Sequence, residues 1–163
     1  MTRAVLSIGS NLGDRLALLQ SALDALRPWL VAVSPVYETA PWGDVEQDDF
    51  LNAILIADDP SAGAEAWLAR AHEIEDAAGR VREMRWGPRT LDVDVIAVGD
   101  VVSDDPRLTL PHPRAGERAF VLAPWYALDA DATLSGTSIK DHLAALPPAD
   151  IDGVRLRADL VLA

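Results

Sequence analysis

Residues 50–78 read FLNAILIADDPSAGAEAWLARAHEIEDAA, a β-rich apolar run followed by a longer segment with helical periodicity. The first part, 50–57, has the length and composition of a buried strand. In 62–78 the larger apolar residues and alanines recur along one helical face, at Trp67, Ala71, Ile74 and Ala78. A glycine follows this segment directly, as is common at a helix end. The stretch therefore predicts a strand and then a helix.

The same order of elements extends outward on both sides of this stretch. Downstream, residues 90–98 read TLDVDVIAV and predict a strand. Upstream, 3–10 predicts a strand and 31–39 is β-rich, and the segment between them carries leucines at helical spacing, at Leu12, Leu16, Leu19, Leu23 and Leu26. Strand–helix–strand therefore occurs twice within residues 3–98. This order predicts an α+β fold with a ferredoxin-like βαββαβ core, mainly an antiparallel sheet with helices packed on it.

The remainder of the chain predicts smaller elements around this core. Val101 and Val102 suggest a short edge strand, and the Pro- and Gly-rich segment 107–116 predicts a loop. Residues 119–128 and 138–146 predict helices. The last 35 residues carry no recognisable chemistry. We interpret them as a structural extension of one domain spanning residues 1–163.

The charge balance limits the classes of partner. The chain has 163 residues and a formal net charge of -12, which argues against binding nucleic acid or a membrane surface through a basic face. It contains no apolar run near the roughly 20 residues that span a bilayer, and no cysteine. We therefore expect a cytoplasmic protein that acts on small molecules, as a monomer.

Asp92 and Asp94 form the first candidate site. Because strand side chains alternate, both carboxylates should point to one face, with Cα atoms about 6 to 7 Å apart. Two carboxylates this close repel each other unless a cation lies between them or one is protonated. Oxygen ligands without nearby histidine or cysteine favour Mg²⁺, which is often held by one or two carboxylates and substrate phosphates. The alternative is a strand with a polar face and no metal.

An arginine cluster lies directly before this strand. Of the 14 basic residues 13 are arginine, and four of them lie between residues 80 and 89. Guanidinium groups suit phosphate oxygens and can neutralise the charge that develops in phosphoryl transfer. Next to two carboxylates, this cluster indicates a phosphoryl-transfer centre. The alternative is a solvated loop paired with acidic residues. Trp86, within the cluster, is either a flat surface for a base or a loop anchor.

His112 lies between two prolines, so its orientation is set by a rigid loop. No other histidine is near it in sequence, which makes it more suitable as a phosphate donor than as a metal ligand. A purely structural role is the alternative. The chain contains neither a Walker loop nor a dinucleotide-binding glycine fingerprint, so any ATP site is of another type.

Taken together, these segments resemble the 6-hydroxymethyl-7,8-dihydropterin pyrophosphokinase family of folate biosynthesis. The resemblance extends from Leu6 to about Leu128. It rests on IGSNLG at 8–13, FLNA at 50–53, the block 82–94 with its arginines, Trp-Gly-Pro and paired aspartates, and LPHP at 110–113 followed by Phe120. The long central block is the most specific of these segments.

The resemblance implies a reaction and a set of residues for it. The hydroxymethyl oxygen of the pterin would attack the β-phosphorus of MgATP and release AMP. Asp92 and Asp94 would bind two Mg²⁺ ions that bridge the ATP phosphates, and Arg80 and Arg89 would be the catalytic arginines.

The resemblance also implies two binding sets. The ATP-binding set would consist of His72, Glu75, Arg82, Trp86, Val95, Arg107, Thr109, His112 and Arg118. The pterin-binding set would consist of Thr39, Ala40, Trp42, Phe50, Asn52 and Phe120, with the two phenylalanines flanking the ring.

Two other functions remain open for the same residues. One is a metal-dependent phosphohydrolase or nuclease that uses Asp92, Asp94 and a water molecule. The other is a pterin- or nucleotide-binding module without catalysis. Such a module would not need the arginine cluster, and the acidity of the chain disfavours a nuclease.

Overall fold

The computed structural model describes residues 3–40, 48–79 and 91–163. The strands are β1 Arg3–Ser10, β2 Leu30–Val33, β3 Tyr37–Thr39, β4 Phe50–Asp58, β5 Asp92–Val98, β6 Ser103–Asp105, β7 Leu108–Leu110, β8 Thr133–Leu134, β9 Thr137–Ser138 and β10 Val154–Leu156. The helices are α1 Arg15–Leu26, α2 Ala64–Ala77, α3 Ala119–Leu128, α4 Ile139–Ala144 and α5 Pro148–Asp152, with single 3-10 turns at Arg27–Trp29 and Ala115–Glu117.

Six strands form the main sheet, in the order β10-β3-β4-β1-β5, with β2 also paired to β4. All the pairings within it are antiparallel. Taking β2 and β3 as two halves of one strand, the core is β1-α1-β2/β3-β4-α2-β5, with β1 between β4 and β5. This is the ferredoxin-like α+β arrangement predicted from the sequence, and the prediction is confirmed.

The sequence predicts one β-rich segment over 31–39, whereas the structure divides it into β2 and β3. Pro35 has no N–H to donate to a strand ladder. Next to it, the Ser34 N–H donates to the Ile54 carbonyl over 2.9 Å, and the Ser34 hydroxyl accepts from the Ile54 N–H over 2.8 Å. A side-chain oxygen therefore satisfies the backbone group of β4 at the break.

The sheet has an apolar core on each face. Helices α1 and α2 cover one face, where the fully buried residues include Leu6, Ile8, Leu23, Leu55 and Trp67. Helix α3 covers the other face, where the buried residues include Val5, Ile54, Ile56, Ile96 and Trp125. Along β1 and β4, odd and even positions thus serve opposite faces, as the two-residue period of a strand requires. A sheet covered on both faces explains why β4 reads as a continuous apolar run.

Helix α1 begins later than the leucine spacing suggested. The Asp14 carboxylate accepts a hydrogen bond from the Ala17 N–H over 3.1 Å and caps the helix. Leu12 therefore lies outside the helix, with 46% of its surface exposed. The prediction that Leu12 belongs to the helical face is wrong, whereas the predicted end before Pro28 agrees with the structure.

The second half of the chain differs from prediction in two places. The predicted loop 107–116 contains β7 and a 3-10 turn, and β7 pairs with β6, which lies just beyond the predicted edge strand at 101–102. The C-terminal extension adds β10 to the main sheet beside β3. Helix 119–128 was predicted with its observed bounds. Among the described residues, no helix is long and apolar enough to cross a membrane.

Candidate functional site

The strand register brings four residues into a row across the sheet. Asp92 lies opposite Gly9, Gly9 opposite Asn52, and Asn52 opposite Tyr37. Directly opposed residues project from the same face, here the face covered by α3. Two strand spacings separate Asp92 from Asn52, so their Cα atoms lie about 10 Å apart. The predicted metal-binding and pterin-binding residues therefore meet on one face.

Gly9 is required in this row because the Asn52 side chain lies over it. A Cβ atom at Gly9 would lie 2.8 Å from Asn52 Nδ2 and 3.6 Å from Phe50 Cδ1. The first distance is shorter than a non-bonded contact allows, so any larger residue would displace the amide. The sequence carried one signal of this role, a glycine inside a strand, which often marks a close approach.

Asp92 and Asp94 project from β5 as predicted, both half-buried, while Val93 and Val95 are buried on the opposite face. Arg118 NH1 lies 3.8 Å from Asp94 Oδ2. Within the ranges the structure describes, no group of three or more histidine, aspartate or glutamate side chains converges as a metal site. A pair of carboxylates fits Mg²⁺, whose other positions are commonly filled by water and substrate phosphates.

A cleft of about 290 Å³ runs along the outer edge of β5, between α2 and the β6–β7 hairpin. Six of the nine predicted ATP-binding residues line it: His72, Glu75, Val95, Arg107, Thr109 and His112. Asp92 and Asp94 line its wall as well. The seventh, Arg118, lies beside Asp94 instead. The cleft therefore brings most of the predicted ATP-binding residues next to both carboxylates.

Glu75 has a second contact that the sequence did not reveal. It is 2% exposed, and its Oε2 accepts a hydrogen bond from the Val93 N–H over 2.9 Å. Among the described residues β5 is an edge strand, so this carboxylate satisfies a backbone donor on the side of β5 where no described strand pairs with it. Glu75 thus fixes β5 between the two aspartates in addition to lining the cleft.

His112 is held by its backbone and by one ring nitrogen. Its N–H donates to the Ile96 carbonyl over 2.8 Å, and its Nδ1 accepts from the Arg114 N–H over 3.2 Å. This arrangement places the hydrogen of the neutral ring on Nε2. Burial, reinforced by the positive charge of Arg118 and opposed by Asp92, lowers the pKa of His112 to about 4. At neutral pH the ring is therefore an uncharged hydrogen-bond donor.

Arg107 and Thr109 lie at the rim of the cleft with partners of their own. Arg107 is exposed and pairs with Asp105 at 2.9 Å and Glu65 at 3.1 Å. The Thr109 hydroxyl donates to the Asp105 carbonyl over 3.0 Å. A phosphate group that bound Arg107 would therefore have to displace these carboxylates.

Three of the predicted pterin-binding residues lie together at the other end of the row: Thr39, Phe50 and Asn52. Thr39 lies opposite Phe50 on the same face as Asn52. The buried atoms Thr39 Oγ1 and Asn52 Oδ1 have no hydrogen-bond partner in the part of the chain that is described. Buried polar atoms are rarely unpaired, so these two are suited to a polar ligand. Phe120 packs at the edge of the α3 core, and the Arg118 guanidinium lies 5.5 Å from its ring centroid.

The remaining predicted residues are not all placed by the structure. Ala40 follows β3 and is exposed. Five others lie outside the described residues: Trp42, Arg80, Arg82, Trp86 and Arg89.

Comparison with known proteins was made by sequence and by structure. Residues 5–130 match the family model of 7,8-dihydro-6-hydroxymethylpterin-pyrophosphokinase (HPPK). A 2-amino-4-hydroxy-6-hydroxymethyldihydropteridine pyrophosphokinase of Mycobacterium tuberculosis is 56% identical over 169 residues, which cover 96% of this chain and 90% of the relative. Proteins with the same name from Methylorubrum extorquens and Pseudomonas aeruginosa are 44% and 41% identical, over 94% and 89% of this chain and 99% and 92% of theirs.

Solved structures provide a comparison of the fold. The wild-type HPPK-DHPS protein of Plasmodium falciparum superposes with a TM-score of 0.66 at 13% identity, over 88% of this chain and 44% of that one. The wild-type complex with pteroate gives a TM-score of 0.69 at 12% identity, with the same coverage. The chain thus spans less than half the length of these proteins, and the likeness concerns the fold alone.

Proposed function

The chain belongs to the 7,8-dihydro-6-hydroxymethylpterin-pyrophosphokinase family, and from this premise we propose which of its residues carry the reaction. The enzyme is an ATP-dependent diphosphotransferase of folate biosynthesis that transfers pyrophosphate from ATP to 6-hydroxymethyl-7,8-dihydropterin. Family membership favours this function over a phosphohydrolase or a non-catalytic binding module. The observation that supports the residue assignment is the row Asp92–Gly9–Asn52. It places a candidate metal ligand and Asn52 Oδ1, which has no hydrogen-bond partner among the described residues, on one sheet face.

The nucleotide would occupy the cleft along β5, with its phosphates directed past Asp92 and Asp94. His72, Glu75, Val95, Arg107 and Thr109 would surround the nucleotide. His112 would donate from Nε2 to a phosphate oxygen, and Arg118, beside Asp94, would bind the group being transferred. The lining of the cleft supports this placement, because Asp92 and Asp94 form part of its wall.

Members of the family use Mg²⁺, and Asp92 and Asp94 are the residues that would hold it here. We propose two ions, as the resemblance implies. Bound Mg²⁺ would neutralise charge on the ATP phosphates. The two carboxylates project from one short stretch of an edge strand whose position Glu75 fixes, so their geometry is set before substrates bind.

The pterin would lie over Gly9, between Phe50 and Phe120. Asn52 can accept and donate at once, which suits the mixed amide and amine edge of a pterin. Thr39 would supply a further polar contact, and the chain around Ala40 and Trp42 would complete the pocket. In this position the hydroxymethyl group faces the carboxylate pair.

The chemistry requires little beyond this positioning. The hydroxymethyl oxygen bonds to the β-phosphorus, the bond from the β-phosphorus to the oxygen bridging it to the α-phosphorus breaks, AMP leaves and the hydroxyl proton passes to solvent. No described side chain is placed as a strong general base. Charge stabilisation would come from the metal site and from Arg80 and Arg89, assisted by Arg82, while Trp86 would contact the nucleotide. These four assignments rest on the family resemblance.

The expectations of a single domain, a monomer and a cytoplasmic location stay predictions. Gel filtration with light scattering would test the expected monomer. A monomer should give the mass of one 163-residue chain.

Phosphorus NMR of the complete reaction tests the function. With MgATP and the pterin, AMP and the pterin diphosphate should appear in equal amounts, without ADP. Omitting the pterin should leave ATP unchanged. Phosphate released from ATP without pterin would instead indicate a hydrolase.

A further inference from the structure

Glu38 lies directly behind the row of pterin-binding residues. It sits between Tyr37 and Thr39 on β3, opposite Leu51, so its side chain projects to the α1 face while its neighbours face the proposed pterin pocket. It is 14% exposed, unusually little for a glutamate. A charged side chain at such a position requires compensation.

Three arginines from distant segments provide it. Arg15, in the first turn of α1, donates to Glu38 Oε2. Arg157, just beyond β10, donates to Glu38 Oε1 over 3.0 Å, and Arg155 of β10 lies 3.6 Å from the same oxygen. The hydrogen bond from Arg15, together with the charge of Arg15 and the hydrogen bond and charge of Arg157, lowers the pKa of Glu38 despite the opposing effect of burial. The carboxylate is therefore ionised at neutral pH.

Two of these three arginines also contact Asp49, directly before β4. Arg155 donates to Asp49 Oδ2 over 2.7 Å, and Arg15 donates to the Asp49 carbonyl over 2.9 Å. We call Arg15, Glu38, Asp49, Arg155 and Arg157 the Glu38 cluster. The cluster therefore contains Glu38, the residue before Thr39, and Asp49, the residue before Phe50.

The two outer strands that carry Glu38 and Arg155 are short. β3 and β10 contain three residues each, and the break at Pro35 separates β3 from β2. The pairing of β10 to β3 is extended by one hydrogen bond, from the Arg157 N–H to the Val36 carbonyl over 2.8 Å. Short strand ends fray easily, and a shift of about 1 Å in a substrate-positioning group can cost on the order of 100-fold in rate.

We propose that Glu38 is a positioning residue for the pterin substrate and that β10 belongs to the substrate-binding apparatus. Glu38 would act through β3, holding Thr39 against Phe50 and Asn52 from the opposite face of the sheet. This inference rests on the proposed pterin pocket. It gives the C-terminal extension a role, where the sequence suggested only a structural addition.

The variant Glu38→Gln tests the proposal, because it keeps the shape of the side chain and removes its charge. We expect the pterin Kd, measured by calorimetry with a saturating non-hydrolysable MgATP analogue, to rise about 10-fold. The Kd of the analogue alone should be unchanged. Asp24→Asn is the matched control, because it removes a carboxylate paired with Arg27 at 2.6 Å on the exposed side of α1. It should change neither Kd.

A double variant separates positioning from general loss of structure. If Glu38 and Arg157 act as one unit, Glu38→Gln combined with Arg157→Gln should raise the pterin Kd no more than the larger single effect. The proposal would be overturned if the two single effects on the pterin Kd multiplied in the double variant. It would also be overturned if the pterin Kd were unchanged, or if pterin binding and nucleotide binding were weakened equally. If Glu38→Gln does not fold, the variant Arg155→Gln tests the proposal instead. Arg155 is 56% exposed, so its replacement should not prevent folding, and it also pairs with Asp49. It too should weaken pterin binding selectively, and an unchanged pterin Kd would overturn the proposal.

Asn52→Ala distinguishes this proposal from the assignment of the pocket. If Asn52→Ala weakens pterin binding and Glu38→Gln does not, only the positioning role fails. If neither variant weakens it, the pterin pocket itself is wrongly assigned.

Discussion

The absence of a side chain at Gly9 leaves room for the Asn52 amide, and this contact can be tested alone. Gly9→Ala would place a Cβ 2.8 Å from Asn52 Nδ2, so the amide must move. We expect the pterin Kd to rise by about 10-fold or more, from a loss of roughly 1.4 kcal/mol or more when a hydrogen-bonding group is displaced. The nucleotide Kd should not change.

Gly63→Ala is the control for that substitution. A Cβ at Gly63 would meet no atom within 4 Å, and the residue lies at the start of α2, away from the pterin row. Both variants add one methyl group. If Gly9→Ala bound pterin as well as Gly63→Ala does, Asn52 would not read the pterin from its observed position.

The paired aspartates have a separate prediction. Asp92→Ala and Asp94→Ala should each lower kcat by at least about 10²-fold, since losing a metal ligand removes several kcal/mol of charge stabilisation. Both residues are half-buried and face the site, so the thermal midpoint should change little. Near-normal turnover by either folded variant would remove that aspartate from the metal site.

A substitution at the break between β2 and β3 should lower stability without lowering enzymatic activity. Ser34→Ala removes the side-chain acceptor of the buried Ile54 N–H, so the free energy of unfolding should fall by about 1–3 kcal/mol. Urea denaturation measures this. Ser21→Ala is the control, because the Ser21 hydroxyl donates to the Leu18 carbonyl on the exposed side of α1. Equal stability of the two variants would contradict the role given to Ser34.

Periodicity predicted the larger elements well and the smaller ones poorly. Helix α3 and the main strands follow from apolar runs and helical spacing, which depend on local burial. Two departures involved particular side chains that replace or end regular hydrogen bonding. Ser34 bridges a strand break, and Asp14 caps α1 after Leu12. Ser34 bonds to a residue 20 positions away, and the start of α1 depends on which residue caps it. A periodic pattern of apolar residues encodes neither.

Over the whole molecule, the topology could be predicted and the cross-strand register could not. The order of elements led to the ferredoxin-like core. Residue patterns indicated Asp92, Asp94, the arginine cluster and His112, and the family resemblance supplied the other site residues. That Asp92, Gly9 and Asn52 share one row depends on the register of two strand pairs, which long-range packing decides. The pairing of β10 with β3 links residues more than 100 positions apart, and nothing local in the extension indicated it.

The most direct test is the distance between the metal and the pterin in the ternary complex. Mn²⁺ can replace Mg²⁺ at oxygen ligands and relaxes nearby nuclei. With Mn²⁺, a non-hydrolysable ATP analogue and the pterin bound, proton relaxation should place the pterin methylene within about 10 Å of the ion, the span of two strand spacings. Asp94→Ala should weaken the relaxation. A methylene that Mn²⁺ does not relax, in a complex shown by calorimetry to be fully formed, would contradict the arrangement of both substrates on one sheet face.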